Sequence, residues 1–434
     1  MRNGRVWAGL LGVEKTTVER VEFDEDDGLL VAHVRPVRGQ RQRCGACSRR
    51  CPGYDRGEGR RRWRALDLGT VQAVLEADAP RVRCREHGVV VAAVPWARHG
   101  AGHTRYFDDQ VAWLAVACSK SAVMELMRIA WRTVGAIITR VAADAMAGVD
   151  RFAGLRRVGI DEISYKKGHR YLTVVVDHDS RRLIWAASGR DRATLGRFFD
   201  LLGADRCAAI THVSADMADW IAEVVAQRCV NAVRCADAFH VVAWATEALD
   251  EVRRQAWNDA RALARSEPVR GRGRPRADAV ARPGHDRARG LKHARYALWK
   301  NPENLTARQL DKLAWIAKTD PRLHRAYLLK EGLRYVFAVK GQAGSEALDR
   351  WLSWTARCRI PAFVALGRKI RRHRPAIEAT LVHDLSNALI ESTNTKIRLL
   401  QRIAFGFRSA DALIALAMLA LGGFRPPLPG RAAT

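Results

Sequence analysis

The sequence predicts a multidomain α/β protein, and three observations carry that prediction. Short apolar strands joined by polar turns run from residue 158 to about 188, followed by a helix and a further strand. Ahead of them lie a hairpin pattern with closely spaced cysteines and then a stretch of helical periodicity. Behind them the chain is helical and basic. A length of 434 residues leaves room for several domains with their own cores.

Residues 17–36, TTVERVEFDEDDGLLVAHVR, alternate apolar and polar side chains around Asp27-Gly28, as a hairpin does. Two pairs with two-residue gaps follow, Cys44-Gly-Ala-Cys47 and Cys84-Arg-Glu-His87. A tight turn between paired ligands lets both converge on one ion, and Cys3His with all four positions filled is a structural zinc set. Cys51 is a possible substitute ligand, and four unconnected small core residues are the plain alternative. The WRALDLG and VQAVLEA runs between the pairs are candidate strands that bring the two knuckles together. Residues 1–97 thus form a β/zinc-finger module.

Residues 98–150 read as a helical unit. SKSAVMELMRIAWRTVGAIITRV, residues 119–141, holds two helical patterns that part near Ile129-Ala130. A helix-turn-helix would place its second helix from Trp131 and aim Arg132 and Thr133 at a major groove. An ordinary helical pair has the same periodicity; the cysteine module upstream and the charge favour DNA.

From residue 158 come VGIDEIS, RYLTVVVD and RLIWAAS, then a helix over 194–202 with Asp191 as its N-cap. A strand, AITHVSAD, ends at Asp216, and the helical MADWIAEVVAQR follows. A three-strand meander, a helix, a fourth strand and then helices is the element order of an RNase H-like layer. That core occupies residues 151–245 and resumes over 376–434. A basic helical insertion, 246–375, interrupts it and includes an Arg/Pro/Gly-rich stretch at 266–290 that reads as a mobile loop. The RGRP at 272–275 could enter an A·T-rich minor groove or belong to a solvated linker.

Lys plus Arg number 74 and Asp plus Glu 46, a formal charge of +28. Such a surplus points to a polyanionic partner, nucleic acid above all, although a codon bias towards Arg also produces it. The apolar stretch 412–424 is too short to span a bilayer, and the early VWAGLLGV lacks a cleavage-like tail. Nine cysteines, an odd number, suit a reducing compartment, so the expected location is the cytoplasm, without a membrane partner.

Asp161 ends the first strand of the meander and Asp216 ends the fourth, and in an RNase H-like sheet these strands are neighbours. Glu391 lies in the helical SNALIESTNTKIRLLQRIAFGFR, where Asn387, Asn394 and Arg398 share its face at offsets −4, +3 and +7. Three carboxylates from distant segments can hold two Mg²⁺ ions about 3.5–4 Å apart, which suits in-line displacement at a phosphodiester. Each acid alone could equally be a solvated charge, a helix cap or an ion-pair partner. Strand alternation turns Glu162 to the opposite face, away from this role.

The chain resembles the ISL3 family of bacterial insertion-sequence DDE transposases over most of its length. The resemblance rests on CGAC…CREHG, AWRTVGAI, GIDEISYKKGHRYLTVVVD, VSADMADW, CADAFHVV, KNPENLT, LLKEGLRYVF and IESTNTKIRLLQRIAFGFR, in that order. It implies that Asp161, Asp216 and Glu391 are the catalytic triad and bind two Mg²⁺ or Mn²⁺ ions. It implies an N-terminal zinc finger, with His87 where the family usually has cysteine. The helical region between Asp216 and Glu391 corresponds to the insertion such enzymes carry. Asp237-Ala-Phe-His240 resembles an accessory Asp-x-x-His motif, and Arg398 the basic residue two turns after the glutamate. The implied partners are double-stranded DNA, as terminal inverted repeats and target, and a second copy of the chain in a dimer or higher synaptic complex. The rivals are a non-enzymatic DNA-binding regulator with a decayed core and an RNase H-type nuclease without strand transfer. The intact acidic set argues against the first, and the DNA-reading modules with the long insertion against the second.

Overall fold

The computed structural model describes residues 2–267, 282–407 and 409–431. A first helix, α1 (Arg2–Leu10), leads into the expected hairpin, β1 (Thr16–Asp24) and β2 (Leu29–Pro36). Five strands follow: β3 (Gly53–Asp55), β4 (Arg60–Arg64), β5 (Gln72–Asp78), β6 (Arg81–Cys84) and β7 (Gly88–Val91). They sort into two sheets, β1-β2-β5-β4 and β3-β6-β7. The WRALDLG and VQAVLEA runs therefore do not join the cysteine knuckles. Trp63 of β4 and Leu75 of β5 are buried against Ala32 and Val34 of the hairpin, which draws these strands into the larger sheet. The knuckles are joined by β3, β6 and β7 instead.

Three helices come next: α2 (Arg105–Ala117), α3 (Lys120–Met127) and α4 (Trp131–Ala147). The Ser119 hydroxyl accepts from Ala122 N–H at 3.2 Å and starts α3, and Arg128 in the left-handed region ends it. Val134, Ile137, Ile138 and Val141 of α4 pack on Phe107 and Val111 of α2, so the predicted second helix begins at Trp131 as expected. Asp108 on α2 is fully buried yet accepts two 2.9 Å bonds from Arg140 of α4. Arg98, just before the helices, pairs with Asp109 and Asp144. Removing one partner of such a buried set would strand a charge, which locks the module's exit onto the helices.

The central sheet contains β8 (Arg157–Lys166), β9 (Arg170–Asp177), β10 (Arg182–Ser188), β11 (His212–Ala215) and β12 (Val233–Ala236). Its order is β10-β9-β8-β11-β12, with β8, β9 and β10 antiparallel and β8, β11 and β12 parallel. The first four strands follow the predicted layer, and β12 is an addition to it. Between them lie α5 (Arg192–Leu202), α6 (Ala204–Ala209) and α7 (Asp219–Arg228). Asp191 caps α5 by accepting from Thr194 N–H at 2.7 Å. Alternation along β8 divides the core: Val158 and Ile160 face α5 and α7, while Ile163 and Tyr165 face the C-terminal helices and α4. Asp161 does not end its strand. Pairing with β9 carries β8 on to Lys166, and what stops beside Asp161 is the pairing with β11, at Ile160↔Ala215.

A single helix, α8 (Ala238–Ser266), runs from the sheet into the insertion. Its buried stripe of Val241, Ala245, Leu249, Val252, Ala256 and Ala260 is unbroken, so the expected boundary at 245/246 falls inside a helix. The insertion continues with α9 (Pro283–Leu291), α10 (Arg295–Trp299), α11 (Ala307–Thr319), α12 (Pro321–Val339), α13 (Gly341–Arg357) and α14 (Pro361–Arg372). The expected loop at 266–290 is thus helical from Pro283, where proline needs no N–H partner and the Glu267 carboxylate accepts from Gly284 N–H at 2.6 Å. Residues 268–281, with the RGRP at 272–275, lie outside the described residues. The boundary at 375/376 also falls within a helix, α15 (Arg374–His383), whose Thr380 hydroxyl donates to the Ala236 carbonyl of β12 at 2.7 Å. Two helices close the core, α16 (Ala388–Ile403) and α17 (Ala410–Leu421). Among the described residues, no helix is long and apolar enough to cross a membrane.

Candidate active site and DNA-facing modules

The parallel half of the sheet fixes three acids in one row. In the register Ile160↔Ala215↔Ala236, each of these residues is followed by an aspartate: Asp161 within β8, and Asp216 and Asp237 just beyond β11 and β12. By alternation Asp161 faces the side covered by α16, and there its Oδ2 accepts from the Asn394 amide at 2.8 Å. Its Oδ1 accepts from Glu162 N–H at 2.8 Å. Glu162 turns to the other face, as expected, and pairs with Arg190 at 3.1 Å. Asp216 Oδ1 accepts from Met217 N–H at 2.5 Å, and the Arg234 guanidinium donates to the Asp216 carbonyl at 2.9 Å.

Asp237 is 3% exposed and caps α8, its Oδ1 accepting from Phe239 N–H at 3.0 Å. Its Oδ2 holds His240 Nδ1 at 2.5 Å, and that same nitrogen lies 3.8 Å from Asp216. The hydrogen bond that His240 Nδ1–H donates to Asp237 lifts the imidazole to about 9, with the Asp216 charge adding to the rise, so the ring is a cation at neutral pH. Burial pushes the Asp161 carboxyl above its ordinary value, and the charges of Asp237 and Asp216 push the same way. Glu391, on the first turn of α16, is raised first by burial and then by Asp237 and Asp161, with His240 opposing. Five residues from four chain segments thus share one electrostatic neighbourhood.

The face expected to carry Asn387, Glu391, Asn394 and Arg398 is divided. Asn387 and Asn394 are buried against the sheet at 2% and 3% exposure, while Glu391 and Arg398 are exposed. Asn394 reaches into the site; sequence reading put it on the right face but gave it no task. A polar residue one turn after an acid was the available signal.

Carboxylates are hard oxygen donors of the kind Mg²⁺ and Mn²⁺ take, and burial, with neighbouring negative charge added, holds Asp161 and Glu391 above their ordinary values, which a bound cation would offset. The donor type suits a divalent ion, but among the described residues no three of these groups bring their donor atoms within 4.8 Å of one another as the cysteine set does. The side-chain oxygens of Asn387 and Asn394 are buried without a hydrogen-bond partner in the same region.

The zinc-ligand candidates also converge. One donor atom from each of Cys44, Cys47, Cys84 and His87 lies within 4.8 Å of the others. Cys47 Sγ and Cys84 Sγ are 3.8 Å apart, and His87 Nδ1 lies 3.8 Å from Cys44 Sγ and 3.6 Å from Cys84 Sγ. Tetrahedral zinc with Zn–S of about 2.3 Å separates its ligands by about 3.8 Å, so the set fits that ion. The bond with His87 lowers the Cys84 thiol to about 6. Cys51 is buried beside the set but turns its Sγ to the Arg49 carbonyl at 3.4 Å. In the helical module Arg132 is exposed and Thr133 half-buried on the first turn of α4, where a recognition helix would present them.

Three matches to family profiles cover these units in order. Residues 40–87 match the zinc-finger of transposase IS204/IS1001/IS1096/IS1165. Residues 92–142 match the helix-turn-helix domain of transposase family ISL3, and 158–417 match the ISL3 family profile described as transposase. The chain is 69% identical to the transposase for insertion sequence element IS1557 of Mycobacterium tuberculosis, over 99% of this chain and 98% of that relative. It is 26% identical to the transposase for insertion sequence element IS1001 of Bordetella parapertussis, over 95% of this chain and 96% of the other. A zinc ribbon, a helix-turn-helix and an acid-bearing α/β core in this order define an insertion-sequence transposase. The chain belongs to the ISL3 family.

Proposed function

We propose that this transposase binds the terminal inverted repeats of its insertion sequence and cuts and joins DNA at a site formed by Asp161, Asp216 and Glu391. The observation that carries this reading is the row of aspartates where the parallel pairing of three neighbouring strands stops, with Glu391 carried on α16 and sensing the charges of Asp161 and Asp237. A sheet is a rigid platform, and carboxylates placed on it keep their separation when DNA arrives. Mg²⁺ or Mn²⁺, which Asp161, Asp216 and Glu391 would hold, would supply positive charge to the reacting phosphate and favour deprotonation of the attacking water.

The chain's own groups do the rest. Asp161 and Asp216 present carboxylate oxygens from the sheet and Glu391 from the opposite side. Asn394 fixes the Asp161 carboxylate, and His240 stands as a fixed cation beside Asp216, itself oriented by Asp237. Asp237, with both oxygens engaged, braces the site rather than serving as its second acid. Water attacks the phosphodiester at the element's end and frees a 3′-hydroxyl. That hydroxyl then attacks a target phosphodiester, forming the new P–O bond as the old one breaks and releasing the target's own 3′-hydroxyl. Cys44, Cys47, Cys84 and His87 hold the zinc of the ribbon, and Arg132, Thr133 and Arg398 touch DNA. Joining two ends calls for a dimer or higher assembly.

The test is incubation of the full chain with DNA carrying its flanking inverted repeats and Mg²⁺, followed by mapping of the 3′ ends and of joined products. New 3′-hydroxyls at the repeat boundary and joined target strands are expected. Cutting without joining would leave a nuclease, and neither would leave a DNA-binding protein.

A further inference from the structure

Beyond Arg398, the exposed side of α16 has no assigned role. Glu391, Thr395, Arg398 and Arg402 lie at offsets 0, +4, +7 and +11, one stripe along the outer face. Neither Arg398 nor Arg402 pairs with a carboxylate among the described residues. The stripe ends at Phe405, which is 82% exposed. Phe405 also has a φ of 54°, a conformation that bulky residues avoid. The turn is nonetheless well held: Phe405 N–H donates to the Arg402 carbonyl at 3.1 Å, and Gly406 N–H to that of Gln401 at 2.9 Å. A costly backbone conformation therefore holds an aromatic ring in water, with no packing to account for it.

The position of this turn suggests its partner. Phe407, two residues on, lies against the helix-turn-helix: Lys120 Nζ sits 5.2 Å from the Phe407 ring centroid and 5.1 Å from that of Trp131. Trp131 opens α4, next to Arg132. The turn after α16 is thus where the recognition helix meets the helix of Glu391, and DNA held by one and reacting at the other has to pass it.

Resting on the reading above, we propose that the outer face of α16 is a DNA track. Arg398 and Arg402 take the phosphates of the strand leading away from the cleaved bond, and the Phe405 ring wedges against a base of that duplex. Apolar rings inserted at a base step are a recurring way to fix DNA in a bent or unstacked form. At about 1.5 Å per residue, Arg402 lies about 16 Å along the helix from Glu391, or about five base steps at about 3.4 Å each, and Phe405 about 21 Å, or about six. Charge complementarity favours DNA as the occupant over a second copy of a chain that carries +28.

The experiment uses the full-length protein and duplexes of the element's end, with single 2-aminopurine substitutions stepped inward from the cleavage position. Ca²⁺ replaces Mg²⁺ so that nothing is cut. Wild-type protein should raise the fluorescence at one or two adjacent positions about six base steps from the junction, where Phe405 reaches. Phe405→Ala should lose that signal and weaken end binding by about 5- to 100-fold, whereas Phe405→Tyr should keep both. Arg402→Ala should weaken binding and reduce its log–log salt slope by about one. Cleavage by the wild type in Mg²⁺, measured in parallel, reports on the site itself and not on the track. Wild-type fluorescence and affinity in a folded Phe405→Ala would overturn the proposal. So would a change from dimer to monomer on sedimentation with the fluorescence signal intact, which would make this face a contact between copies.

Discussion

Asn394→Ala removes one contact inside the proposed site and little else. The lost bond is the 2.8 Å donation to Asp161 Oδ2, made by a side chain only 3% exposed, so water is poorly placed to replace it. A hydrogen bond to a charged group contributes about 1.5–3 kcal/mol. At about 1.4 kcal/mol per tenfold, that corresponds to a loss of about 10- to 150-fold in divalent-ion affinity or in cleavage rate. The direction of the pH effect follows from the proton. The Asn394 N–H favours ionised Asp161, whose carboxyl is already raised by burial, so removing the donor raises it further. Protons then compete with the metal over a wider acid range. The deficit of the variant should be greatest at low pH and shrink as the pH climbs through the raised value. Asn394→Asp, which sets a second carboxylate against the first, should be worse at every pH where both ionise. The assay is end cleavage titrated with Mg²⁺ at several pH values, with DNA binding as the control. An unchanged Mg²⁺ midpoint and pH profile in folded Asn394→Ala would refute the reasoning.

The remaining expectations concern the other groups. Elemental analysis should find about one zinc per chain, lost in Cys44→Ser and Cys84→Ser together with specific end binding; retention in both variants would remove the zinc assignment. Asp161→Asn, Asp216→Asn and Glu391→Gln should each abolish metal-dependent cleavage while keeping DNA binding, and Asp237→Asn should only slow it. If Asp216→Asn still cuts and Asp237→Asn does not, the two roles exchange. Affinity for non-specific DNA should fall steeply with salt, with a log–log slope of about −0.9 for each phosphate contacted; a flat response would show that the charge is not spent on DNA. Arg398→Ala should weaken end binding or cleavage without altering thermal melting, and wild-type values for both would leave it a solvated arginine.

Sequence pattern revealed most where one residue decides the local geometry. Asp191 before an apolar helix, Asp27-Gly28 within alternating strands and the two-residue gaps of the cysteine pairs all led to the observed elements. Pattern failed where partnership is chosen at long range. Nothing local in WRALDLG says whether Trp63 will pack on a hairpin or a zinc knuckle; the buried faces of Ala32 and Val34 decide it. The β12 strand is only four residues long, too short for a periodicity to register, and it exists because β11 and α15 flank it. The expected junction near residue 246 rests on the chain becoming helical and very basic there, a change that does not register the apolar stripe of α8, which passes through that point unchanged. Among the site residues, the acids stood out by type, whereas the task of Asn394 depends on a contact 233 residues away.

The length of α8 has a mechanical consequence. Its 29 residues make a rod of about 43 Å, and the residue that caps it is Asp237, which orients His240. Because the rod's stripe is buried among the other helices of the insertion, that whole bundle acts as a handle fixed to the site at one end. A tilt of about one degree at the handle displaces its far end by less than about 1 Å, while a push of a few ångströms at the far end turns the cap by a few degrees. By the same geometry, chain length can grow or shrink beyond Ser266 at little cost to the site, whereas a single residue inserted in the first turns of α8 would rotate the stripe by about 100° and set the bundle against its own cap.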